Sequence, residues 1–333
     1  MMKLSTMKKV LDTVGEDWRS PLAEQIMCNW EYDADELYYF RASANFVFIF
    51  RKDGKAHYLR FNETTEKSLS QLQTELNILL YLKDSPVKVA QPLLSKNRQY
   101  IEVVDTEVGE FSAMVFEGIP GKQMETAELI KEQFFLWGRS LGMLHEKFKV
   151  IPEGYISERP TYADHLQWID SHLPIDDLPA REEMFRIKEW TGSLRKTPEN
   201  FGIIHFDFEV DNLRWNEDLI GAFDFDESAG YWYVGDIVFA LRDVLANKED
   251  IKKPQVKNFI RGYRTVTNLD ENYLQQIDGF LRMHQLYSYT RILRSIDILE
   301  SEKHPEWLRN LREKFVMKLS YYRQIFRTLD DIG

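Results

Sequence analysis

Cysteine is almost missing from this 333-residue chain: Cys28 stands alone, which excludes an internal disulfide and any multi-cysteine metal site. Long apolar runs are missing too. No stretch approaches the ~20 residues that span a bilayer, and the opening Met1-Met2-Lys3-Leu4-Ser5-Thr6-Met7-Lys8-Lys9 lacks the apolar centre of a secretory signal. These absences lead us to expect a cytoplasmic protein with no membrane partner. Positive charge is in deficit, with 43 Lys and Arg against 54 Asp and Glu and a formal net charge of -11. A chain of that sign repels phosphate backbones, so nucleic acid is not an expected partner. Repeats and low-complexity segments are absent from the sequence as well.

Core material is plentiful. Hydrophobic residues make up 44% of the chain and charged residues 29%, enough for two ordinary domains or one bilobed unit with a cleft. From Leu37 to about Phe116 the sequence runs in short alternating, β-branched and aromatic stretches that predict strands: Tyr38–Arg41, Phe46–Phe50, His57–Phe61, Tyr100–Val104 and Phe111–Phe116. A turn is expected at Lys52-Asp53-Gly54-Lys55. Leu69, Leu72, Leu76, Leu79 and Leu80 fall at helical spacing, predicting an amphipathic helix over 66–82. After Glu117-Gly118-Ile119-Pro120-Gly121 the pattern turns helical, so the expected division is an N-terminal lobe of residues 1–117 and a C-terminal lobe of 118–333. Within the second lobe, Ile203-Ile204, Leu213–Trp215 and Ala222-Phe223 predict short strands. Asp236, just before Ile237-Val238-Phe239-Ala240-Leu241, reads as a helix N-cap.

The chemistry concentrates in Ile204-His205-Phe206-Asp207-Phe208-Glu209-Val210-Asp211-Asn212-Leu213 and in Ala222-Phe223-Asp224-Phe225-Asp226-Glu227. Two carboxylates ~4 Å apart repel by about 4 kcal/mol at an effective dielectric near 20, so a cation is expected among them. Mg²⁺ needs only one or two protein oxygens when phosphate and water complete its shell, which points to a metal-nucleotide complex. Phosphoryl transfer also needs a group to orient the acceptor hydroxyl and a cation for the phosphate oxygens. Asp207 is the candidate base, Asn212 and Asp224 the candidate metal ligands, and Arg60, steadied by Glu75, the candidate phosphate contact.

The residues His205, Asp207, Phe208, Asn212, Phe223, Asp224, Phe225 and Asp226 together resemble the double motif of the aminoglycoside phosphotransferase and choline kinase family, distant relatives of protein kinases. The resemblance implies an α+β, bilobed protein-kinase-like fold, with a small antiparallel sheet plus one helix and a larger helical lobe. It implies ATP as phosphoryl donor, with GTP as alternative, bound with Mg²⁺. Phe116 and Gly118 would meet the adenine edge, and Ser43 and Asn45 would lie in the loop covering the phosphates. His205 and Asp236 would brace the catalytic loop. Three departures stand out: Phe206 where the family has Gly, Arg60 where it has Lys, and a phosphate loop, Ala42-Ser43-Ala44-Asn45, without glycine.

For the acceptor, Glu209, Asp211, Asp226 and Glu227 favour an amine-bearing small molecule with a hydroxyl, and Trp232, within Tyr231-Trp232-Tyr233, offers a stacking surface. The expected function is an ATP-dependent kinase for such a molecule (an aminoglycoside, choline, homoserine or a relative), acting as a monomer or homodimer. A Ser/Thr protein kinase and a non-catalytic nucleotide-binding protein are the rival readings.

Overall fold

The computed structural model describes residues 1–217, 219–329 and 332. Its elements in chain order are α1 (Leu4–Leu11), α2 (Pro21–Met27), β1 (Leu37–Ala42), β2 (Phe46–Lys52), β3 (Lys55–Glu63), α3 (Leu69–Tyr81), β4 (Lys88–Val89), β5 (Pro92–Leu93), β6 (Glu102–Thr106) and β7 (Gly109–Glu117). There follow α4 (Lys131–Phe148), α5 (Tyr162–His172), α6 (Leu178–Ser193), β8 (Phe201–Ile204), β9 (Leu213–Asn216), β10 (Leu219–Ala222), β11 (Ala229–Trp232), α7 (Tyr233–Ala240), α8 (Pro254–Arg264), α9 (Glu271–Leu274), α10 (Ile277–Ser295) and α11 (Glu306–Thr328). No helix among the described residues is long and apolar enough to cross a membrane.

The chain forms two compact units. The first comprises Met1–Leu76, Ala90–Gly118 and Arg291–Tyr321. Its antiparallel sheet runs β1-β2-β3-β7-β5, with β6 also paired to β7. Alternation sends Phe46, Phe48 and Phe50 of β2 and Leu59 and Phe61 of β3 into one core with Met7, Val10, Leu22 and Ile26 of the first two helices. The opposite face carries Tyr58 and Arg60. The β2–β3 turn forms where expected, with Asp53 and Gly54 both at positive φ (52° and 72°), the geometry of a tight two-residue hairpin. The α3 helix starts at residue 69, not 66, because Ser68 and Gln71 cap it reciprocally: Ser68 N–H donates to Gln71 Oε1 and Gln71 N–H to Ser68 Oγ.

The second unit comprises Asn77–Val89, Ile119–Thr290 and the chain from Tyr322. Its helices α4 and α8 approach so closely that a Cβ on Gly138 would lie 1.9 Å from the carbonyl oxygen of Phe259, and one on Gly262 the same distance from that of Phe135. Beside them, β9 and β10 form a hairpin with Leu213 opposite Ala222, and β8 pairs antiparallel with β11.

A single cut at 117/118 does not describe these units. The first recovers residues from the far end of the chain, where Leu308 and Ile298 pack on Leu4 and Arg294 pairs with Glu66. Asp236 is likewise not an N-cap: α7 begins at Tyr233, which puts Asp236 inside its first turn and fully buried.

Candidate active site

Strand β8 delivers the chain to His205, and the loop that follows is shaped by one carboxylate. Asp236 accepts the His205 N–H at Oδ2 (2.9 Å) and the Phe206 N–H at Oδ1 (2.8 Å). Phe206 lies at φ 74°, a region that costs a non-glycine residue about 1–2 kcal/mol. Its ring is buried against His165, Tyr231, Phe239 and Tyr287, which offsets that cost. The backbone therefore adopts the glycine-like bend with a phenylalanine in place.

Asp236 also meets His145 Nε2 at 2.9 Å, and His145 Nδ1 lies 2.7 Å from the Tyr263 hydroxyl. A neutral ring satisfies both contacts, Nε2–H donating to Asp236 and Nδ1 accepting from the tyrosine. Burial favours the same state by pushing the His145 pKa below its ordinary 6.5, against the pull of Asp236. His205, also wholly buried, is shifted down for the same reason.

Asp207 follows, with its side chain 31% exposed. Asn212 Nδ2 donates to both the Asp207 carbonyl (3.0 Å) and Asp207 Oδ2 (3.1 Å). The Phe223 N–H donates to the Asn212 carbonyl at 3.1 Å. The β9–β10 hairpin explains this meeting, since Asn212 directly precedes the first strand and Phe223 directly follows the second. Asp224 comes next, at φ 66°. With its amide nitrogen turned to Asp207, Asn212 has its carbonyl Oδ1 to offer a hard cation. Among the described residues no three His, Cys, Asp or Glu side chains gather into a metal cage. One amide oxygen plus one carboxylate suits Mg²⁺ carried on phosphates and not a cation needing an all-protein shell.

Sequence reasoning missed Arg242. Its Nη1 lies 3.0 Å from Asp207 Oδ1, and its Nη2 pairs with Glu209 Oε2. Burial first, and the nearby Asp207 charge second, push the Glu209 carboxyl up to about 7 in spite of Arg242. Glu209 thus faces an arginine of its own chain. Arg159 was also missed: buried, it donates to the carbonyls of Asp226 (2.8 Å) and Phe225 (3.2 Å), holding the segment just after Asp224. No local pattern marks either arginine, because each finds its partners only through tertiary packing. Glu227 lies 3.3 Å from the Tyr287 hydroxyl. Trp232 corrects its expectation: it is wholly buried against Tyr162, Phe201 and Phe280, with Nε1–H donating to Arg195 O, so it presents no face to an acceptor.

In the first unit, Arg60 and Glu75 form a buried two-pronged pair, Nη1 to Oε1 at 2.8 Å and Nη2 to Oε2 at 2.6 Å. The guanidinium lies 4.8 Å from the centroid of the Phe116 ring. The amides of Glu117 and Gly118 are already used, donating to Gln91 O (2.9 Å) and Ala56 O (3.1 Å). A Cβ on Gly118 would stand 2.6 Å from Ala56 O, which explains glycine there. The Ala42–Asn45 loop is pinned by Asn62 Nδ2 on Ala44 O and by the Met2 N–H on Ser43 O, with Asn45 buried.

The profile of the phosphotransferase enzyme family matches residues 40–275, a span that includes Arg60, Glu75, His145, His205, Asp207, Asn212, Asp224, Asp236 and Arg242. The chain belongs to that family. It is therefore a phosphotransferase, as the double motif led us to expect. It is similar to the amicoumacin kinase of Bacillus subtilis (strain 168), at 25% identity over 278 residues covering 80% of this chain and 82% of that one. Among solved structures, amicoumacin kinase hAmiN in complex with AMP-PNP, Ca²⁺ and Ami superposes with a TM-score of 0.79 at 20% identity over 94% of each chain. The microcompartment-associated aminopropanol kinase gives 0.63 at 17% identity, covering 94% of this chain and 98% of its own. The spectinomycin phosphotransferase in complex with ADP and spectinomycin gives 0.62 at 13%, covering 92% and 97%. The α+β kinase-like fold expected from the sequence is thus the fold found.

Proposed function

We propose that this phosphotransferase moves the γ-phosphoryl group of magnesium-bound ATP, or of GTP, to a hydroxyl of a small amine-bearing molecule in the cytoplasm. The observation that carries the reading is the Asn212 amide bonded to Asp207 while the Asn212 carbonyl holds the residue before Asp224. On this reading the hairpin sets Asp207, which would orient the acceptor, beside Asn212, one of the two residues that would hold the metal. Asp207 accepts the hydroxyl hydrogen and aims the oxygen at phosphorus. Asn212 Oδ1 and the Asp224 carboxylate would hold Mg²⁺, which supplies neutralisation of the phosphate oxygens. Arg60, fixed by Glu75, would contact the α- and β-phosphates, and the pinned 43–45 loop would cover them. Catalysis on this account is positioning plus charge neutralisation.

An amine-bearing acceptor is supported by Asp226 and Glu227 beside the metal-binding segment, and by relatives named for amicoumacin and aminopropanol. Glu209, engaged by Arg242, contributes less to that preference than the sequence implied. The two units serve as nucleotide-binding and acceptor-binding lobes, in a monomer or homodimer. The test is a transfer screen with MgATP and MgGTP against amicoumacin, spectinomycin, amino alcohols, sugars and generic protein, with Asp207→Ala as control. Labelled phosphate in a small amine supports the proposal. Label in protein alone selects a Ser/Thr protein kinase, and tight nucleotide binding with no transfer selects a non-catalytic role.

A further inference from the structure

Arg242 is held at three points. Its guanidinium donates to Phe239 O at 3.0 Å, pairs with Glu209, and reaches Asp207 Oδ1 at 3.0 Å. Asp207 is correspondingly gripped at both oxygens, Oδ1 by Arg242 and Oδ2 by Asn212. A carboxylate held by one donor swings about its χ2 torsion at little cost, because that torsion is broad. Held on both oxygens it has one orientation. We infer that Arg242 is a positioning residue for Asp207, and that Glu209 is the anchor of Arg242 and not a contact for the acceptor. This inference rests on the reading of Asp207 as the residue that orients the hydroxyl.

The planar fork of arginine is what the arrangement demands, since three acceptors lie around one guanidinium, whereas the point charge of lysine cannot span them. Arg242 also separates two carboxylates. Without it, Asp207 and Glu209 would face each other across the space it fills, and Asp207 would turn away from the direction that Asn212 gives it.

The experiment compares wild type with Arg242→Met, Arg242→Lys, Glu209→Gln, the Arg242→Met/Glu209→Gln double variant and Asp207→Asn. Phosphoryl loss from MgATP, to amicoumacin or to water, gives kcat and KM; calorimetry gives MgADP affinity; thermal melting gives Tm. Arg242→Met should lower kcat by about 10- to 100-fold, the cost of misplacing a reacting group by about 1 Å, with KM for MgATP and MgADP affinity within about threefold of wild type. Arg242→Lys should recover part of kcat. Glu209→Gln should lower kcat less than Arg242→Met does, because Phe239 O and Asp207 still hold the guanidinium. In the double variant the like-charge pair is gone, so Tm should recover while kcat stays low. A crystal structure of Arg242→Met should show the Asp207 carboxylate rotated off Asn212. Wild-type kcat in Arg242→Met alongside an inactive Asp207→Asn overturns the inference. So does an unmoved Asp207 in that structure, or a parallel loss of kcat, MgADP affinity and Tm. Full turnover in Asp207→Asn would instead overturn the reading beneath it.

Discussion

The amide of Phe206 donates to Asp236 Oδ1 across 2.8 Å, and this bond holds a phenylalanine backbone in a left-handed conformation one residue before Asp207. The loop that carries Asp207 is therefore shaped by a carboxylate thirty residues further along the chain. Asp236 meets three donors without exposing an atom to water: two amides and the His145 ring.

Asp236→Asn replaces one of those acceptor oxygens with a donor nitrogen, which points an N–H at another N–H. A buried donor left unsatisfied costs about 1–3 kcal/mol. We expect a stability loss of that order with a drop in turnover, read by denaturant unfolding and by steady-state kinetics. Unchanged stability would show that the loop does not depend on this carboxylate.

Phe206→Gly sets two effects against each other. Relief of the positive φ is worth about 1–2 kcal/mol, while truncating a buried phenylalanine costs about 3–5 kcal/mol. Packing should win, leaving the variant roughly 2 kcal/mol less stable by urea unfolding. A gain in stability would mean that strain dominates at this site.

His145 predicts a pH-dependent difference. Its folded pKa lies below 6.5, so on acidification the unfolded chain takes up the proton first. Its stabilising contribution is complete above about pH 6.5 and declines as pH falls below that value. His205 acts in the same direction, whereas Glu209, raised to about 7, acts in the opposite one. The measurement is accordingly a difference: the stability gap between wild type and His145→Gln should narrow from pH 8 to pH 5.5. A gap that widens would show that His145 is protonated in the folded protein.

Glu75→Ala leaves the Arg60 guanidinium charged, buried and without its two carboxylate contacts. Breaking such a pair costs about 3–5 kcal/mol. We expect stability to fall by that order and MgADP to bind more weakly, both measurable by calorimetry. Unaltered nucleotide affinity in a folded Glu75→Ala variant would remove Arg60 from the phosphate contacts.

Strand alternation such as Phe46-Phe48-Phe50 was legible because one buried face repeats every second residue. The paired motifs from His205 to Asp226 were legible because they are contiguous and chemically unusual. Contacts closed by tertiary packing were not. Arg242 and Arg159 look like ordinary charged residues until the turn after α7 and the loop before α5 bring them to Asp207 and Asp226. Asp236 satisfied the local rule for a cap, an acid ahead of an apolar run, but three donors from other elements claimed its side chain. Trp232 sits in an aromatic run whose sequence does not distinguish a ligand-facing surface from core, and core packing claims it. The return of Arg291–Tyr321 to the first unit depends on packing around Leu308; the spacing of Leu308, Leu311 and Phe315 marks an apolar face on α11 but not the partner it meets.

On the proposed reading Asp207 acts on the acceptor hydroxyl and not on nucleotide binding. Its most direct test is Asp207→Asn, an isosteric change, assayed for MgATP affinity by calorimetry and for γ-phosphoryl transfer with labelled ATP. Affinity should stay within about threefold of wild type and transfer should fall by about 100-fold or more, the range in which a positioned acid-base group contributes. Transfer at the wild-type rate, or loss of MgATP binding in step with transfer, would contradict it.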